Sequence, residues 1–89
     1  MIEKELQIIN KLGLHARAAA KFVATASRFS SQIEVERNNR RINGKSIMGL
    51  MLLAAAKGTT ITVFIEGSDA EEALAAVETL INNRFDEAE

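Results

Sequence analysis

The chain has 89 residues, with 11 basic and 12 acidic side chains and a formal net charge of −1. At 47% apolar and 26% charged residues it reads as one small globular domain over residues 1–89, not as a disordered segment. The balanced charge offers no field for nucleic acid and four phenylalanines are its only aromatics, while the lack of cysteine and the single histidine exclude disulfides, thiolate chemistry and Cys- or His-cluster metal sites.

The charged opening Met1-Ile2-Glu3-Lys4-Glu5 does not read as a signal peptide, and no apolar run approaches a membrane span. A cytoplasmic chain with no membrane insertion is therefore expected. Leu6 and Ile8 alternate with Glu5 and Gln7, which predicts a strand from Ile2 to Ile9. From Ala16 to Arg28, Ala19, Phe22, Val23, Ala26 and Phe29 recur every three or four residues, the signature of a helix with one apolar face. Gln32–Arg37 alternates strictly and predicts a second strand with Ile33 and Val35 inward. Asn38-Asn39 suits a tight hairpin, because asparagine tolerates positive φ, and Arg40–Asn43 pairs back as a third strand.

Ser46 is placed to cap a second helix from Ile47 to Ala56, closed by Lys57-Gly58. Within it, Leu50, Leu53 and Ala54 are spaced to face the sheet. Thr59–Glu66 is β-branched and alternating, a fourth strand with Ile61, Val63 and Ile65 on one face. Ser68 with Glu71 three residues on reads as a capping box for a last helix, whose core face is Ala70, Ala73, Leu74, Val77, Leu80 and Ile81, ending near Asn83. The tail Phe85-Asp86-Glu87-Ala88-Glu89 is expected to fray, and Asp86, Glu87 and Glu89 carry no role in this reading. The order is β-α-β-β-α-β-α. One-sided strands predict an α+β fold: a four-stranded antiparallel sheet with three helices on one face, an open-faced two-layer sandwich.

The chemistry converges on the start of the first helix. His15 stands at its boundary, and the N–H groups of Ala16, Arg17 and Ala18 have no intrahelical acceptor. Free N–H groups and the helix dipole favour an anion such as phosphate. Arg17 can lean back toward the helix start and offer a planar fork of donors. Imidazole titrates at about 6.5, so it keeps a nitrogen lone pair at neutral pH and can carry a phosphoryl group reversibly. No carboxylate, serine or second histidine is near in sequence to complete a hydrolytic set. The competing reading is a surface histidine that merely ends a helix. Farther along, Ile47, Met48 and Met51 should lie partly outside a short helix, and an exposed methionine patch suits an adaptable protein contact; the alternative is that another helix covers it. Phosphorylation of Ser46 would add roughly −1.5 to −2 charges beside that patch.

Two segments carry a resemblance. Gly13-Leu14-His15-Ala16-Arg17 looks like the phosphohistidine motif, and Gly44-Lys45-Ser46-Ile47-Met48-Gly49-Leu50-Met51 like the regulatory-serine segment, of the HPr family, the histidine-containing phosphocarriers of the bacterial phosphotransferase system. The resemblance runs from about Ile2 to Phe85. It implies phosphorylation by enzyme I on Nδ1 of His15, stabilisation by Arg17, and delivery to enzyme IIA components. It implies no cofactor and no metal, a monomer that needs partner enzymes for turnover, docking through Ile47, Met48 and Met51, and regulation at Ser46 by a serine kinase/phosphorylase where the host has one. Ala18 departs from the family's usual proline, which should loosen the first turn slightly. Leu12 is similar to the nitrogen-branch paralogues and the Ser46 segment to kinase-regulated carriers, so both branches stay open. From another class, a regulatory binding module acting through Ser46 and the second-helix patch remains an alternative.

Overall fold

Alternating segments build the sheet, and periodic segments cover one side of it. The computed structural model describes residues Met1–Glu89. Strands β1 (Ile2–Gln7), β2 (Gln32–Arg37), β3 (Arg40–Asn43) and β4 (Thr60–Glu66) form one antiparallel sheet in the order β1-β4-β2-β3. Helices α1 (Ala16–Ala26), α2 (Ile47–Leu52) and α3 (Ala70–Asn82) complete the expected order, and a 3-10 turn follows at Arg84–Asp86. None of the helices is long and apolar enough to cross a membrane.

β4 is the spine of the sheet. Its Val63 pairs with Lys4 of β1 on one side and Val35 of β2 on the other. Leu6, Ile33, Val35, Ile61, Val63 and Ile65 point to the helical layer and are buried with Phe22 and Ala26 of α1, Leu50 of α2, and Val77 and Ile81 of α3. Burying a side chain of this size contributes about 1.5–3 kcal/mol. The outer sheet face is polar, with Arg41 pairing to Glu34 at 2.8 Å and its guanidinium 3.7 Å over the Phe64 ring. Asn38 and Asn39 take φ of 53° and 64°, the left-handed pair that the two-residue hairpin needs.

Three expectations change. First, α2 stops at Leu52 instead of Ala56: Leu53 is its C-cap and Ala54 takes φ of 49°. Residues 53–56 run on to bury Ala55, whose carbonyl accepts Leu14 N–H at 2.9 Å. That tertiary bond outweighs the helix propensity of an alanine run. Leu50 and Leu53 are buried, but Ala54 faces solvent, and Gly58 serves the turn into β4. Second, the Ser68–Glu71 capping box does not form. The N-cap of α3 is Asp69, and its carboxylate leaves the helix to accept from the N–H and hydroxyl of both Ser30 and Ser31. Ser31's hydroxyl and the backbone of Ser30 lead in holding that carboxyl far below the usual range, to about 2. Third, the tail does not fray. Phe85 is fully buried, and Lys21 Nζ donates to its carbonyl at 2.8 Å.

Candidate functional site

The turn before α1 is built to present one residue. Gly13 takes φ of 68°, and a Cβ there would come within 2.5 Å of the Ala55 carbonyl oxygen. Only glycine allows the turn to rest this closely on residues 55–56. Asn10, fully buried, closes the same turn: its carbonyl accepts Gly13 N–H at 3.2 Å, and its Nδ2 donates to the Gly13 carbonyl at 2.8 Å. His15 follows in extended conformation as the N-cap of α1, and its carbonyl accepts Ala19 N–H at 2.8 Å.

The imidazole does not cap the helix. It turns aside, and Nε2 lies 2.5 Å from Glu87 Oε2. Nδ1 has no partner. The N–H groups of Ala16, Arg17 and Ala18 likewise have no acceptor in the protein. Ala18 is fully buried, so the exposed donors of the expected cradle narrow to Ala16 and Arg17. Arg17 is itself exposed and pairs with no carboxylate. A shallow cavity of about 340 Å³ opens beside the ring, walled by Lys11, Leu12, His15, Arg17, Glu87 and Glu89. No group of three or more His, Cys, Asp or Glu side chains stands close enough to hold a metal ion.

Glu87 and Asn10 are the residues that sequence reasoning missed here. Asn10 Nδ2 donates to Glu87 Oε1 at 3.0 Å as well as to Gly13, joining positions 77 apart in the chain. Burial alone would raise the Glu87 pKa. The hydrogen bonds from Asn10 and His15, with the charges of His15 and Lys21, outweigh it and hold the carboxyl below its usual value. Glu87 gets there because Arg84, Phe85 and Asp86 all take positive φ, a left-handed turn that reverses the chain over the buried Phe85 ring. Successive left-handed residues are costly, and the burial of Phe85 offsets that cost. A large apolar residue just beyond a helix end was the one available signal that this segment is anchored.

The second expected site sits at the start of α2. Ser46 Oγ accepts Gly49 N–H at 3.0 Å, as its N-cap position predicts. Ile47, Met48, Met51 and Leu52 are exposed, Met48 most at 72%. No other helix covers them. Leu12, also exposed, adds an apolar residue on the turn that carries His15.

The chain is similar to known proteins over nearly its whole length. A sequence profile described as "PTS HPr component phosphorylation site" matches residues 2–83. The chain is 56% identical over the full length of both chains to phosphocarrier protein HPr of Neisseria meningitidis serogroup A. It is 58% identical to that of Pseudomonas aeruginosa over 96% of each. A crystal structure of an HPr from Thermoanaerobacter tengcongensis superposes with a TM-score of 0.95 at 50% identity, covering all of both chains. With its fold, length and sequence all accounted for by these relatives, the chain belongs to the PTS-HPr family of phosphocarrier proteins.

Proposed function

We propose that this carrier holds its phosphoryl group on Nδ1 of His15, receives it from enzyme I charged by phosphoenolpyruvate, and passes it to an enzyme IIA component. One observation carries the reading: Nδ1 is the unpartnered nitrogen of an imidazole standing beside the open N–H groups of a helix start, with an unpaired arginine on the same cavity. Attack by Nδ1 forms the N–P bond while the donor's bond to phosphorus breaks, its electron pair leaving with the donor. The N–H groups of Ala16 and Arg17 and the Arg17 guanidinium would then share the phosphoryl oxygens. The two carboxylates lining the cavity are already engaged, Glu87 by Asn10 and His15 Nε2 and Glu89 by Lys11, so neither stands free as a base to activate water. This supports storage of the group over its hydrolysis, with turnover left to the partner enzymes.

Residues 1–89 act in this reading as one cytoplasmic, monomeric domain. The exposed Ile47, Met48 and Met51 are the docking surface, extended by Leu52 and Leu12. Ser46 is the regulatory position: its hydroxyl borders that surface, and a phosphate on it would have to be desolvated whenever a partner docked. Incubation with enzyme I and phosphoenolpyruvate should add one acid-labile phosphate, and His15→Ala should add none. Undiminished phosphorylation of His15→Ala would refute the assignment. Ser46→Asp should slow acceptance, whereas Ser46→Ala should leave it unchanged.

A further inference from the structure

We propose that Glu87 is a positioning residue for phosphoryl transfer, acting through His15 rather than on the phosphoryl group. This rests on the reading that His15 is the acceptor. An ionised carboxylate can only accept a hydrogen bond. At 2.5 Å from Nε2, the Glu87 carboxylate therefore requires the ring hydrogen on Nε2 and leaves the lone pair on Nδ1. The hydrogen bonds from Asn10 and from the Nε2–H of His15, with the charge of Lys21, favour its ionised form. Its other oxygen is held by Asn10, which also holds the Gly13 carbonyl two residues before His15. One buried amide thus ties the carboxylate to the turn that carries the ring. Since the imidazole cannot swing without breaking that bond, its orientation is set before any donor arrives.

The same contact acts during the transfer. As Nδ1 bonds to phosphorus, the neutral ring acquires positive charge, while the hydrogen on Nε2 stays in place. A carboxylate on Nε2 stabilises that charge in the way the aspartate of a hydrolase triad stabilises its imidazolium. It does so from the side of the ring away from the incoming group. No proton has to leave: the ring is an imidazole with Nε2–H before transfer, and a phosphorylated ring with the same Nε2–H held by Glu87 afterwards. When the group moves on, the N–P electron pair returns to Nδ1.

The test compares the wild type with Glu87→Ala and Glu87→Gln, using enzyme I and phosphoenolpyruvate for rates and NMR for the Nε2 proton of His15. The wild type should show a downfield Nε2 proton protected from exchange. Glu87→Ala should lose that signal and accept phosphate about tenfold more slowly, the scale typical of a group that orients a histidine. Glu87→Gln, whose amide oxygen can still accept, should keep the signal and recover part of the rate. An alanine variant as fast as the wild type, or faster, would overturn the proposal, and so would one that is slower with its Nε2 proton unchanged. If the wild type accepts nothing, or His15→Ala still accepts, the reading of His15 itself fails, and this proposal with it.

Discussion

The three helix starts use the same backbone problem differently. At α2, Ser46 turns its hydroxyl onto Gly49 N–H and closes the helix with its own side chain. At α3, Asp69 gives its carboxylate to Ser30 and Ser31 and pins the loop after α1. At α1, His15 turns its ring to Glu87 and leaves the first-turn N–H groups unanswered. A capped start is finished structure. Of the two starts without a side-chain cap, α3 carries Glu71 and Glu72 in its first turn, whereas α1 has no acidic residue there and keeps its partial positive charge unanswered. Between the α1 and α2 starts, the difference is where one side chain points.

That contrast can be broken or sharpened by experiment. The largest effect should come from Phe85→Ala, which empties a fully buried ring position and should cost about 3–5 kcal/mol in denaturant unfolding. It should also release Glu87 and slow phosphate acceptance, while Ser46 stays capped. Normal acceptance by the folded variant would sever the tail from the α1 start. Ser46→Ala should cost about 1 kcal/mol for its lost cap and speed exchange of the Gly49 amide, whereas His15→Ala should cost about 0.5–1.5 kcal/mol for the lost Glu87 bond and leave amide exchange in the first turn of α1 unchanged, because its ring caps nothing. Faster exchange at both starts would erase the distinction between them. Ala18→Pro should gain about 0.4–1 kcal/mol, since the N–H it removes is buried without an acceptor and the unfolded chain is restricted.

Acid should separate the starts as well. Asp69 has a lowered pKa of about 2 against 3.8. Its contribution is complete above 3.8 and disappears as pH falls toward 2. Glu87 is lowered from 4.5, so the His15 contact should persist at and above 4.5 and fail only at more acidic pH. The Gly49 amide, held by a hydroxyl that does not titrate, should show neither transition. An NMR titration following these three positions decides the matter.

Element type and order were legible because each segment has an unambiguous period. Strand alternation in Ile33–Val35 and Ile61–Ile65 and the three-and-four spacing of α1 need no tertiary information. The end of α2 was not legible: an alanine run favours helix, and what ends it here is tertiary, the Leu14 N–H on the Ala55 carbonyl and the Arg37 and Arg40 guanidiniums on the Leu53 and Leu52 carbonyls. His15, Arg17 and Ser46 could be singled out as candidates because the chemistry proposed for them depends on a helix start, a local feature, and the structure places helix starts at His15 and Ser46. Glu87 was invisible because its partner lies 72 residues away and its route passes through a left-handed turn of non-glycine residues that no pattern announces. The same is true of Asn10, which reads as an ordinary turn residue until Glu87 arrives beside it.

The place of β4 between β1 and β2 has a consequence for when this protein becomes able to work. A nascent chain that has reached residue 59 can close the β2–β3 hairpin, but β1 has no neighbour until Thr60–Glu66 fills the slot. The turn holding His15 leans on Ala55, and its ring on Glu87, which such a fragment does not yet contain. Pairings this distant in sequence form late and slowly. The histidine is therefore synthesised well before the segments that set it in place, and its geometry reports that the later half of the fold has docked.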